Sequence, residues 1–214
     1  HPDDEVLGCG GTIARHTTDG DQVSVLFIAD GSGSRGINAK QLEQRKGMAQ
    51  AAAETLGLNS TFFLNFPDQR LDQVALLEIV QKIEEVISEI KPTIVYTHHG
   101  GDLNLDHRIT HQAAITACRP LPESTVRAIY AFETVSSTEW TSTSLGDAFR
   151  PELFVNISGH LSQKMRALDC YASELRKFPH ARSRESIEAL ARYRGSSAGL
   201  ESAEAFMVVR VIVR

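Results

Sequence analysis

Thr93-Ile94-Val95-Tyr96-Thr97-His98-His99-Gly100-Gly101-Asp102-Leu103-Asn104-Leu105-Asp106-His107-Arg108 joins a β-prone run to a cluster of imidazoles and carboxylates. β-Branched and aromatic side chains at 93–96 favour a strand. Pro92 closes the amphipathic stretch before it, and His107 to Cys118 reads as the helix after it. In α/β sheets, ligands bind beyond the carboxyl ends of strands, so a charged cluster between a strand and a helix suits that class. The alternation continues in both directions. Upstream, Val74 to Ile90 places apolar residues at Val74, Leu77, Val80, Ile83, Val86, Ile87 and Ile90, a helical stripe. Phe62-Phe63-Leu64 is a strand stopped by Asn65-Phe66-Pro67-Asp68, and Ala39 to Leu56 is a helix ended by Gly57. Val23 to Ile28 is apolar enough for a strand covered on both faces. Downstream come strands at Arg127–Phe132 and Leu153–Ile157, helices at Leu161–Phe178 and Ser183–Tyr193, and a last strand at Phe206–Ile212. This order predicts a single-domain, Rossmann-like open α/β sheet over residues 1–214, largely parallel, with helices on both faces. A chain of 214 residues that is 42% hydrophobic can bury one full core.

A second cluster opens the chain: His1-Pro2-Asp3-Asp4-Glu5, followed by Gly8-Cys9-Gly10-Gly11. Pro2 bends the backbone and pushes His1 toward an extended conformation. Asp3, Asp4 and Glu5 then fall where a helix would begin, among free N–H groups that favour carboxylates. His1 and Asp4 can turn toward one ion, with Asp3 beside it. An acidic helix cap next to a stray histidine is the plainer alternative. Glycines at 8, 10 and 11 are poor helix formers, which suggests close packing on the sheet or room for a ligand. The cluster should follow a buried strand, so an apolar strand is expected upstream of residue 1. Without it, a free α-amino group would crowd the ion.

Together the two clusters resemble the LmbE-like, or PIG-L, family of zinc-dependent N-deacetylases, whose signatures are the HPDDE opening and a later Asp-His. The likeness extends to Arg45, Pro67-Asp68, the Ser136–Trp140 segment and Ala203-Glu204-Ala205-Phe206. It implies removal of an acetyl group from an N-acetylglucosamine-type substrate, free or conjugated. His1, Asp4 and His107 are then the metal ligands, a two-histidine, one-carboxylate set with an open position. Zn2+ is the expected ion, and Fe2+ or Co2+ would also be accepted. Asp3 is the general base by that resemblance, and Arg45 and Asp68 are the contacts to sugar hydroxyls.

The chain departs from the family at Asn104, where many members carry a histidine. An amide can donate to an oxyanion but cannot shuttle a proton. Asp102, Asp106 and His111 are candidates for the missing role. His111 shares a helix face with His107, although packing is the commoner fate of such a residue. Asp106 either fixes the tautomer of His107 or caps the following helix. His99 is a candidate pocket residue, and Arg35, in the loop Asp30-Gly31-Ser32-Gly33-Ser34-Arg35-Gly36, a candidate for an anionic aglycone. The loop lacks a Walker lysine, so a phosphate-loop reading is weak. Pro179 to Ser183 reads as a plain surface loop, with a polar segment closing over a substrate as the alternative.

A net charge of −5 argues against a nucleic-acid partner. No apolar run approaches the ~18 residues of a membrane span. Three cysteines without CxxC spacing argue against a disulfide framework, and buried thiols are expected at all three. The expected protein is cytoplasmic, with a small N-acetylated amino sugar or its conjugate as partner and homo-oligomerisation open. Competing readings are an amidase of a sugar–thiol conjugate and an inert sugar- or nucleotide-binding module.

Overall fold

The structure, a computed structural model, describes residues 1–31 and 39–213. In chain order its elements are α1 (Asp4–Thr18), β1 (Ser24–Ala29), α2 (Ala39–Leu56), β2 (Ser60–Phe66), α3 (Leu76–Ile90), β3 (Ile94–His98) and α4 (Leu105–Ala117). There follow β4 (Ala128–Phe132), β5 (Leu153–Asn156), α5 (Leu161–Asp169), α6 (Arg184–Ser196) and β6 (Ala203–Val211). Short 3₁₀ turns occupy Leu71–Gln73 and Thr138–Trp140. The fold is α/β with mostly parallel strands. β1 and β2 pair in parallel, Phe27 opposite Phe63. The second sheet has the order β3-β4-β6-β5, with β3 and β4 parallel and β6 antiparallel to β4.

The chain divides into two compact units: His1–Asp68 with Phe154–Ala205, and Gln69–Leu153 with the segment from Phe206 onward. In the first, Ala49, Ala52, Ala53 and Leu56 form the buried side of α2. Helix α1 is broken at Cys9, whose φ of −144° and ψ of 21° are not helical. Past the break, the N–H groups of Gly11 and Thr12 donate to the Glu204 carboxylate at 2.9 and 2.6 Å. Glu204 thus acts as a remote cap for the restarted helix. Lys164 balances its charge at 2.5 Å and donates to the Leu7 carbonyl at 2.9 Å. A Cβ on Gly11 would lie 2.7 Å from Ile157 Cδ1, so glycine there permits close packing.

In the second unit, Ile79, Val80 and Ile83 form the buried stripe of α3. Leu77, expected inward, is 65% exposed; it stands two residues, about 200° of helix rotation, from Ile79. Cys118, Val126 and the β4 residue Ile129 pack together, with Ile87, Val95, Ile115 and Val209 against them.

The largest departure from the sequence reading is at Leu161–Phe178, where α5 stops at Asp169. Tighter bonds take over, Cys170 N–H to Ala167 O at 3.1 Å and Tyr171 N–H to Leu168 O at 3.0 Å. The chain turns there and buries Tyr171 to 1% exposure. Cys9 and Cys118 are buried as expected, whereas Cys170, at the end of this shortened helix, is half-buried. Among the described residues no helix is long and apolar enough to cross a membrane.

Candidate functional site

In the first unit, the turn predicted at Pro2 is closed by Asp4 N–H to His1 O at 3.2 Å. Asp3 caps α1 with φ 117° and ψ −27°, a left-handed backbone rare for a side chain bearing a Cβ. The His1 ring is flanked by two carboxylates: Nδ1 lies 3.0 Å from Asp4 Oδ2, and Nε2 lies 3.0 Å from Asp68 Oδ1. Asp68 arrives just beyond β2, as a residue at a strand's carboxyl end should. Arg45 reaches in from α2 and pairs with Glu174 at 2.8 Å. Gly31, at φ 67°, lies against Pro2 and Arg45; a Cβ there would sit 3.0–3.1 Å from both.

Asp3 is 3% exposed. Burial pushes its carboxyl up to about 7, opposed most strongly by Arg182, whose Nη1 donates to Asp3 Oδ2 at 2.8 Å. The Asp3 N–H donates to Glu5 Oε2 at 3.0 Å, and the Tyr171 hydroxyl donates to Glu5 Oε1 at 2.6 Å. Burial also raises Glu5, to about 8.

In the second unit, β3 delivers His98 and His99, and α4 begins within the cluster. Asn104 caps α4, its Oδ1 accepting from Asp106 N–H at 2.9 Å. The cap role is therefore Asn104's. The Asp106 carboxylate accepts from the N–H groups of Gln69 (2.7 Å) and Leu71 (3.1 Å), anchoring the 3₁₀ turn. The carboxylate facing His107 is Asp102, with Oδ1 3.2 Å from Nδ1. Asp102 has no exposed surface. It accepts from Asn104 N–H at 2.8 Å, from Thr138 Oγ1 at 2.6 Å and, through a short bond, from Ser137 Oγ. Burial raises its pKa, but His107, Ser137 and Thr138 outweigh burial and hold it below the usual range. His111 is depressed by burial; its Nδ1 donates to His98 O at 2.8 Å. His99 Nε2 donates to Asp147 O at 2.8 Å, and its ring meets Phe149 edge-on.

The first unit thus gathers His1, Asp3, Asp4, Arg45 and Asp68. The second gathers His99, Asp102, Asn104, Asp106, His107 and His111. Arg35 lies outside the described residues. Trp140 is 53% exposed. Sequence reasoning missed Arg182 and Tyr171: one lay in a presumed surface loop, the other inside a helix that does not form. Neither position carried a signal, since both act on residues more than 160 positions away. The residues present fit the metal that the resemblance implies. His1, Asp4, Asp68 and His107 are of metal-donor type, and a carboxylate on His107 Nδ1 leaves Nε2 as its donor atom.

The chain matches the PIG-L family, described as GlcNAc-PI de-N-acetylase, over residues 1–118, a stretch that contains both clusters. It belongs to that family. It is 32% identical to an uncharacterized deacetylase, YaiS, of Escherichia coli K12, over 81% of this chain and 87% of that one. A probable N-acetyl-alpha-D-glucosaminyl L-malate deacetylase 2 of Bacillus cereus is 29% identical over 81% of this chain and 80% of its own length. Among solved structures, GalB, the 4-carboxy-2-hydroxymuconate hydratase of Pseudomonas putida KT2440, shares the fold. It has a TM-score of 0.78 at 24% identity, covering 100% of this chain and 95% of that one.

Proposed function

We propose that this protein is a zinc-dependent N-deacetylase acting on an N-acetylglucosamine-type substrate, free or conjugated, with Fe2+ or Co2+ able to replace zinc. The observation that carries this reading is the corner at His1–Asp4. An imidazole and a carboxylate of ligand type adjoin there, with a second, buried carboxylate between them in sequence whose pKa lies near neutrality. Family membership over a stretch that includes His107 supports the rest. The fold alone does not choose the reaction, since a hydratase shares it.

In this reading His1, Asp4 and His107 would hold the ion. When bound, such an ion polarises an amide carbonyl and acidifies water. Asp3 takes the proton from the attacking water and returns it to the departing amine. Arg182 engages Asp3 Oδ2, leaving Oδ1 for that transfer. A base with a pKa near the working pH is best matched to the task. Asn104, its Oδ1 fixed by the α4 cap, presents its amide N–H to the developing oxyanion. Asp102 is saturated with donors and buried, so we assign it to orienting His107 rather than relaying protons. Arg45 and Asp68 face the sugar hydroxyls, a guanidinium and a carboxylate suiting neighbouring hydroxyls. Free thiols at Cys9, Cys118 and Cys170 support a reducing, cytoplasmic setting.

The test is acetate release by the zinc-loaded chain from free, nucleotide-linked and lipid-linked N-acetylglucosamine, and from a sugar–thiol conjugate. Release that stops on chelation and returns with zinc is expected. Zinc bound stoichiometrically, sugar bound and no acetate from any substrate would replace the enzyme with an inert binding module.

A further inference from the structure

Asp3 combines three features that no local sequence effect explains. Its backbone is left-handed at φ 117°, its side chain is buried, and the chain segment between α5 and α6 holds its carboxylate directly and its backbone N–H through Glu5. A conformation of this kind persists only where the surroundings over-determine it, and such residues concentrate at functional sites. Here the surroundings are specific. The Asp3 N–H, turned inward by the positive φ, donates to Glu5 Oε2 at 3.0 Å. Glu5 is held in turn by the Tyr171 hydroxyl at 2.6 Å, and Tyr171 is among the largest fully buried side chains. At the other end, Arg182 Nη1 donates to Asp3 Oδ2 at 2.8 Å. The segment carrying Tyr171 and Arg182 is itself closed by Arg176 N–H to Arg182 O at 3.2 Å and Ser183 N–H to His180 O at 2.9 Å.

We propose that Tyr171 and Arg182 are positioning residues, a two-point clamp that fixes the backbone and carboxylate of Asp3 in the geometry its proton transfers need. Tyr171 acts on the backbone through Glu5, and Arg182 acts on the side chain directly. The turn that ends α5 at Asp169 precedes the segment that brings Tyr171 to Glu5 and Arg182 to Asp3. The kinetic part of the proposal rests on the deacetylase reading above; the structural part does not.

The experiment uses the full chain with Tyr171→Phe and Arg182→Gln, alone and together, and Arg182→Lys as the conservative variant. Removing a partner behind an active-site group typically costs about 10–100-fold in activity. Arg182→Gln and Tyr171→Phe are expected to lower kcat by that much, with KM for the N-acetyl sugar and zinc affinity within about 3-fold of the parent. Arg182→Lys should recover part of the loss. Equal kcat in all variants, or a loss that follows zinc affinity instead, would overturn the kinetic claim. A crystal structure of the zinc-free double variant supplies a readout independent of activity, and Asp3 is expected there at negative φ with its carboxylate turned. Asp3 unchanged at positive φ would overturn the clamp. Should the parent chain release no acetate at all, the deacetylase reading falls, and this structural result still decides the clamp.

Discussion

Asp3 and Asp102 are both buried carboxylates, yet their surroundings drive them in opposite directions. Burial raises Asp3 to about 7, with Arg182 as the main opposing charge. Burial raises Asp102 too, but His107, Ser137 and Thr138 together pull it below the ordinary range. Burial alone therefore does not set the state of a buried carboxylate here; the donors aimed at Asp102 reverse the direction that burial gives. The outcome matches two different tasks. A carboxylate poised near neutrality can accept and return a proton, whereas one held ionised can orient an imidazole. The supports differ as well. Asp102 draws on residues within 36 positions, while Asp3 depends on a partner 179 positions away.

The strongest way to break this contrast is to neutralise Asp3. Asp3→Asn is expected to reduce acetate release by about 10²–10⁴-fold while zinc content, read by elemental analysis, stays at the parent level. Near-normal turnover would remove Asp3 from the proton-transfer side. Next is the remote cap of α1, the helix that carries Asp3 and Asp4. Glu204→Ala leaves Lys164 buried without its partner, and thermal unfolding should show a loss of about 3–5 kcal/mol. Retained stability would mean that the corner does not need this support. Asp102→Asn probes the orienting side. Zinc affinity, titrated against a competing chelator, should fall about 10–100-fold, and unchanged affinity would put the orientation of His107 elsewhere.

The smallest effects lie in the pH dependence of the metal-free chain. The folded pKa of Asp102 is below 3.8, so its contribution to stability is whole above that pH and is lost as pH falls through the folded value. Thr138→Ala removes one donor, worth about 1 kcal/mol, and should move acid unfolding to higher pH. Asp3 has the opposite sign. Its folded value, about 7, lies above 3.8, so stability is lost as pH rises between the two. Asp3→Asn should therefore gain stability over the parent as pH approaches 7. If both variants shifted the same way in urea unfolding at several pH values, the two carboxylates would not differ as described.

Much of the fold could be read directly. The bounds of α2 match the sequence reading residue for residue, and Gly57, at φ 75°, marks its end. Strand β3 and helix α4 came out within two residues, since Pro92 and the polar cluster punctuate the chain. Periodicity failed at Leu161–Phe178. It registers which faces are apolar, but not that Tyr171 would stabilise the fold more by meeting Glu5 than by extending α5. The cluster around His107 was recognisable as chemistry, although its division of labour was not. Asn104 rather than Asp106 caps the helix, and Asp102 rather than Asp106 faces the ring. Three polar residues within one turn offer several local solutions of similar energy, and only the approach of Ser137, Thr138 and the 3₁₀ turn selects among them.

Composition and spacing by themselves determined the order of helices and strands, the α/β class and the presence of metal-donor side chains in two clusters, all of them properties of residues close together along the chain. Tertiary structure alone decided that Arg182 meets Asp3, that Tyr171 secures Glu5 and that Glu204 caps a helix restarting 193 positions before it. The physical reason is that burial and the pairing of buried polar groups depend on which distant segments exclude water together, and nothing within a short window of sequence specifies that.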